Sequence, residues 1–301
     1  MNSRRDFLRT GAMAGAATLL AGIPGAARAE AGTPEFCIFS KHLQGLGFDQ
    51  IADIAAGVGA NGIEAPIRPG GHVEPERVEE ELPKLVDALR KSGLQLTILT
   101  SGINEISAAQ HTEKVLRTAK ALGVRRFRMG FCRYDLSQPI WPQLAAWGAK
   151  FKDVIRLSRE IGIQPLFQNH SGRDYVGGPV WDVYSLMKDY PAREWAFAFD
   201  LYHATVEGGK SWPLEVHLVR DHVGAAYFKD FRWGAKGVET CPLGEGMVNR
   251  EAVGMLKKAG FNGPVSLHVE YLEPRRKEPN YVQEAIVATR RDLAVLKEWW
   301  K

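Results

Sequence analysis

Several groups of residues along the chain carry side chains able to move protons or hold a reacting oxygen: Glu64; Gln168, Asn169 and His170; Asp200 and His203; Lys229; His268 and Glu270. A carboxylate whose surroundings raise its proton affinity is a general base, and Glu64 and Glu270 are the candidates for that role. Imidazoles titrate near neutrality and meet hydroxyl groups, which suits His170 and His203. The ammonium of Lys229 suits a developing oxyanion. Glu64 is followed by APIRPGGHVEPE, a Pro/Gly-rich loop that brings Arg68 and His72 toward it, and Glu245 in PLGEG is a further candidate substrate contact. The combined chemistry is proton transfer next to a carbonyl, with Asn169, His170, Arg68 and His72 as partners for a polyhydroxylated substrate.

Each of these groups closes a short β-rich run. The runs are 35–40, 61–66, 94–100, 125–130, 163–168, 195–200, 223–229 and 264–270. Amphipathic helical patterns lie between them, among them 76–91, despite Pro83, and 110–122, where Val115, Leu116, Ala119 and Leu122 recur at helical spacing. Several helices close on a glycine just before the next strand, as in KSG at 91–93, ALG at 121–123, EIG at 160–162 and KAG at 258–260. Strands alternating with helices imply parallel pairing, and eight such units predict a (β/α)8 TIM barrel, one domain over 34–301 with a final helix over 278–300 and an exposed Trp299-Trp300 end. An open doubly wound sheet is disfavoured, because no glycine-rich phosphate turn follows the first strand. In a barrel the C-terminal strand ends converge on one face, so the polar groups form one ring around a mouth. Trp181, Trp212 and Trp233 fall in loops at that rim, where aromatic faces stack on sugar rings.

Residues 1–29 stand apart from this pattern. SRRDFLR, a small-residue apolar run and Ala27-Arg28-Ala29 make a secretory signal, and Arg4-Arg5 resembles the twin-arginine export motif. The run is short and rich in Gly and Ala for a membrane anchor. The expected location is periplasmic or extracellular, with the export machinery as a transient partner. Removing the leader's four Arg and one Asp from 39 basic and 35 acidic residues leaves a net charge of +1, so the basic pI of 8.9 belongs largely to the leader. A near-neutral domain has no electrostatic footprint for nucleic acid. Cys37, Cys132 and Cys241 are far apart and read as buried thiols, with at most one disulfide. The sequence is compatible with a homo-oligomer and does not specify one.

The strand ends resemble those of the xylose-isomerase-like barrels, the sugar phosphate isomerase/epimerase superfamily, over roughly residues 34–272. The resemblance rests on the Glu of NGIEAP, the Asn-His after strand five, the Asp-x-x-His of FDLYHA, the Lys-Asp of YFKDF, PLGEG and the Glu-bearing last strand. It implies a divalent metal, normally held by Glu, Asp, His and Glu from strands five to eight. Asp200 fits the strand-six ligand and His203 the companion histidine that meets substrate. Gln168 stands in place of the first Glu, Tyr227 in place of the His, and His268 in place of the last Glu. The implied ligand set is Gln168, Asp200 and His268, with Mn, Zn or Fe as the ion, held more weakly than by the full anionic set. His268 is then the ligand, and Glu270, one strand pitch of roughly 6–7 Å nearer the mouth, the base.

The expected function is that of an exported isomerase or epimerase on a sugar or sugar derivative. The alternatives are a β-eliminating lyase on an oxidised glycoside and a non-catalytic carbohydrate-binding barrel. A DNA-repair endonuclease on the same scaffold would need a basic groove, which the charge balance denies.

Overall fold

The computed structural model describes residues 33–301; the leader lies outside the described residues. Eight parallel strands close into a barrel: β1 (Phe36–Phe39), β2 (Gly62–Pro66), β3 (Gln95–Thr100), β4 (Arg126–Arg128), β5 (Gln164–Gln168), β6 (Ala196–Asp200), β7 (Val223–Phe228) and β10 (Val265–Leu267). They pair in chain order, and β1 closes the ring against β10. The strands are buried on both faces almost throughout, which is why they read as apolar runs rather than alternating ones.

The covering helices are α1 (Phe48–Gly57), α2 (Val78–Lys91), α3 (Thr112–Ala121), α4 (Ile140–Ile161), α5 (Trp181–Met187), α6 (Leu201–Gly208), α7 (Trp212–Val219), α8 (Glu251–Lys258) and α9 (Tyr281–Trp299). In α2 the buried Val78, Leu82, Leu85, Val86 and Leu89 form one stripe toward the barrel, and the helix runs through Pro83 at the loss of one backbone hydrogen bond. Gly162 ends α4 with φ of 79°, and Gly93, Gly123 and Gly260 take the same left-handed conformation at the predicted helix ends.

Three features depart from expectation. An antiparallel hairpin, β8 (Asp230–Gly234) with β9 (Gly237–Cys241), leaves the barrel after β7. Trp300 is only 8% exposed and packs edge-on against Phe36 and Phe228, so it is buried in the layer between helices and barrel instead of projecting from it. The tryptophans expected in loops stand on regular elements: Trp212 opens α7 and is buried, while Trp181 opens α5 and Trp233 lies on β8, both exposed. The three cysteines are buried and free.

Strand side chains alternate between the helix layer and the barrel interior. Ile98, Leu166, Ala196, Ala198, Ala225 and Tyr227 form a separate apolar plug inside the barrel. Two residues further along their strands, or just past the strand ends, stand Thr100, Gln168, Asp200 and Lys229, level with Arg128 and His268. The plug shuts the interior from below, and the polar layer above it is the floor of the mouth.

Candidate active site at the barrel mouth

The structure brings Glu64, Gln168, Asp200, His203, Lys229, His268 and Glu270 into one network, completed by an arginine that the sequence reading missed. Arg128, from RRFRMG on β4, donates from an Nη to Gln168 Oε1 at 2.6 Å and stands 3.8 Å from Glu64 Oε1. Gln168 Nε2 donates to Asp200 Oδ2 at 2.8 Å. The same oxygen lies 3.5 Å from Lys229 Nζ, which donates to Glu270 Oε2 at 3.1 Å. Fixed cations and carboxylates thus alternate across the mouth: Glu64, Arg128, Asp200, Lys229, Glu270.

Glu64 is the sealed end of this chain. A register shift between Ile63 and Glu64 against β3 re-aims the strand, and the carboxylate turns into the interior with no exposed surface. Thr100 and Ser266 donate to it from their hydroxyls at 2.5 and 2.7 Å, and His268 Nε2 donates at 3.0 Å. Burial pushes its pKa up, but His268, Arg128 and Thr100 outweigh burial and bring it down to about 2. Glu64 is therefore a permanent anion. The expectation that it serves as a base is corrected: its oxygens are engaged by Thr100, Ser266 and His268, and it has no exposed surface through which a substrate could reach it.

Glu270 is the open end, with a side chain 23% exposed, and Lys41 lies on its other side at 3.9 Å. Burial raises its pKa, and Lys229, His268 and Lys41 together hold it well below the usual carboxylate range. Lys229 is 5% exposed. Burial disfavours its charge, but Asp200 and Glu270 more than compensate, so the ammonium persists. Its Nζ also stands 4.9 Å from the ring centre of Tyr202.

His170 and His203 lie ring against ring at 3.9 Å beside this pair. Burial and the neighbouring Lys229 lower both, His170 to about 4, so both are neutral imidazoles at neutral pH. The Ser171 hydroxyl bonds His203 Nδ1 at 2.7 Å, while His203 Nε2 is buried without a partner. Arg68 faces the mouth half-buried, lowered by burial and by Arg128.

Three expected substrate contacts are spent elsewhere. Asn169 donates to the Asp200 carbonyl and accepts from the Asp200 amide, stitching β5 to β6. His72 bonds the Ser40 carbonyl and hydroxyl at 3.2 and 2.9 Å, bracing the end of β1. Glu245 pairs with Arg232 at 2.8 Å and with Arg291 of α9 at 2.6 Å, while Asp230 gathers the amides of Gly244, Gly246 and Val248. PLGEG is a folded turn built on Asp230.

The residues present do not fit a divalent ion. Gln168 has its oxygen on Arg128 and its nitrogen on Asp200. Asp200 Oδ1 accepts from the amides of Tyr202 and His203, and His268 Nε2 is turned to Glu64. Gln168, Asp200 and His268 therefore do not converge as ligands. Among the described residues no group of three or more His, Cys, Asp or Glu could hold a metal. The positive charge in this mouth comes from Arg128 and Lys229.

A closed eight-stranded α/β barrel with chemistry at its C-terminal mouth defines the class. Residues 52–298 match the family model of the xylose isomerase-like TIM barrel, and the chain belongs to that family. Residues 1–21 match the twin-arginine translocation pathway signal sequence, which directs export to the periplasm or extracellular space. Among solved structures, the IolI protein with a bound zinc atom is 14% identical, with a TM-score of 0.68 over 89% of this chain and 99% of that one. The probable 3-DHS dehydratase AsbF of Bacillus anthracis is 16% identical, with a TM-score of 0.65 over 87% and 98%. The 3-keto-D-glucoside 4-epimerase YcjR of E. coli is 12% identical, with a TM-score of 0.64 over 88% and 99%. At these identities the likeness is one of fold, and the scaffold accommodates zinc in at least one neighbour. No curated protein matches. Among the described residues no helix is long and apolar enough to cross a membrane.

Proposed function

We propose that this protein is an exported enzyme that removes a proton next to the carbonyl of a sugar or oxidised sugar derivative. The observation that carries this reading is the buried Lys229 ammonium, hydrogen-bonded to the part-exposed Glu270 at the rim. A substrate carbonyl oxygen that takes the place of Glu270 as acceptor from Lys229 does two things together. It places the ammonium on the oxygen where negative charge develops, and it weakens the contact that depresses Glu270, so the carboxylate becomes the stronger base. Glu270 then accepts the α-proton, and the C–H electron pair passes into an enediolate whose oxygen Lys229 holds. Return of the proton to the other face gives an epimer, and return to the neighbouring carbon gives an isomer. Loss of a β-substituent gives the elimination product. We assign the hydroxyl proton to the neutral His203, whose Nε2 makes no hydrogen bond and stands 3.5 Å from Asp200 Oδ2.

Neighbours in the fold that bear the names of a keto-sugar epimerase and a dehydratase support this class of reaction. The test is solvent-deuterium incorporation into a panel of ketoses and 3-keto-glycosides, with wild type and Glu270→Gln. Deuterium at the carbon next to the carbonyl, lost in Glu270→Gln while ligand still binds, is the expected result. Sugar binding by calorimetry with no exchange and no new product would sink the catalytic reading and leave a carbohydrate-binding barrel.

A further inference from the structure

Beside the mouth lies a cleft of about 520 Å³ that no step above uses. Its walls include Tyr134, Trp141, Leu144, Tyr175, Pro179 and Trp181. Trp141, at the start of α4, is 73% exposed, and Trp181, at the start of α5, is 51% exposed. Large exposed aromatics on either side of one concavity are uncommon on a surface that only meets water. Val180, just before Trp181, has φ of 38°. That conformation is strained for a β-branched residue, and strain of this kind is held where it serves a site.

The cleft adjoins the reacting groups across one side chain, Tyr175. Tyr175 packs 4.4 Å from His170, which lies on His203. The guanidinium of Arg133 covers the ring of Tyr175 at 4.0 Å and also donates to its hydroxyl, so the wall between cleft and mouth is rigid. Gly172 makes this packing possible: at φ of 141°, a Cβ there would stand 2.7 Å from the Tyr175 ring.

The acidic groups around the cleft are each engaged, and Arg173 is the charged lining side chain with no ion pair among the described residues. Asp182 accepts from the Tyr134 hydroxyl at 2.7 Å and from the Gly177 amide at 2.9 Å. Asp174 pairs with Arg133, and Glu207 accepts from the Gly172 amide. A second sugar ring would need several hydrogen bonds to its hydroxyls, and most of the area offered by the tyrosines and tryptophans cannot make them. Flat apolar faces are what remains.

We infer that this cleft is a subsite for a flat aromatic aglycone, which makes the substrate of the neighbouring mouth an aryl glycoside with a keto group on its sugar ring rather than a free monosaccharide. The inference rests on the sugar reading of the mouth for the glycoside and stands on the cleft alone for the aromatic group. Tryptophan-fluorescence titration of the full-length exported protein with phenyl β-D-glucopyranoside, methyl β-D-glucopyranoside, cellobiose and phenol separates the two. The phenyl glycoside should bind roughly tenfold tighter than the methyl glycoside, and Trp141→Ala/Trp181→Ala should bring it to the methyl level without altering the latter. Equal affinity for the two glycosides, tighter binding of cellobiose, or indifference to the double substitution would overturn the inference. Binding of phenol through the two tryptophans with no glycoside bound would uphold the aromatic subsite and remove the sugar reading of the mouth. Binding of none of the four probes would overturn the subsite itself.

Discussion

Two carboxylates face the same barrel interior, and their fates differ. Glu64 receives three hydrogen bonds, stands near Arg128 and has no exposed surface. Glu270 is held by Lys229, with Lys41 at longer range, and is part-exposed. Both are held low, but by different means. The partners of Glu64 are rooted in the barrel and cannot be displaced by a ligand, whereas the principal partner of Glu270 is one flexible side chain that a substrate oxygen can claim. A carboxylate becomes a base by having a partner it can lose.

The strongest break of this contrast is Glu64→Gln. Removing the anion leaves Arg128 and His268 without their counter-charge in a buried site, and stability should fall by about 3–5 kcal/mol, read as the urea midpoint at neutral pH. A loss under about 1 kcal/mol would show that the sealed half is not an electrostatic keystone.

Next, Lys229→Met should lower kcat by about 10²–10³-fold. It should also move the acid limb of the pH–rate profile upward, because Glu270 loses the cation that depresses it. A fall in rate with an unmoved acid limb would make Lys229 a packing residue only.

Acid stability sharpens the comparison further. The pKa of Glu64 falls from an ordinary 4.5 to about 2 on folding, so its contribution is complete above 4.5 and is lost as pH drops from there toward 2. The loss amounts to about 3 kcal/mol, and Glu64→Gln should flatten that part of the curve. His170 is also depressed, to about 4, so the folded state disfavours its charged form; its contribution is complete above 6.5 and declines below it. An equally steep acid limb in Glu64→Gln would assign the transition to other groups.

Smaller effects mark the boundary of the site. Chelation with EDTA should leave the thermal midpoint and exchange activity unchanged, and elemental analysis of the exported protein should find metal well below one equivalent. Stoichiometric metal would mean that Gln168 and Asp200 release their present partners. Glu245→Ala should change stability by no more than about 0.5 kcal/mol and leave turnover intact.

Much of this was legible in the residues. Parallel strands buried on both faces write themselves as apolar runs, and their polar termini marked the mouth from Glu64 to Glu270. What the sequence could not convey was engagement. Asn169, His72 and Glu245 look like open donors and acceptors until the backbone amides, the Ser40 oxygens and Arg291 are found to occupy them. Arg128 was hidden for the converse reason. In a strand reading RFR, an arginine on an inward position resembles one on an outward position, and only barrel closure tells them apart. The ligand set implied by the resemblance meets the same point: both ends of the Gln168 amide, Asp200 Oδ2 and His268 Nε2 are held by other side chains, which residue types alone do not reveal.

The pairing of β1 with β10 bears on the order in which the molecule can be completed. β1 is the first strand after the leader, and its outer edge waits for the last strand of the chain. Trp300 then packs over Phe36 from the final turn. Until ribosomal synthesis reaches those residues, the strand tethered to the export signal has an unpaired edge and the ring is open. The strand made first thus gains its second neighbour only when the strand made last is present, and a chain truncated before β10 keeps an open ring.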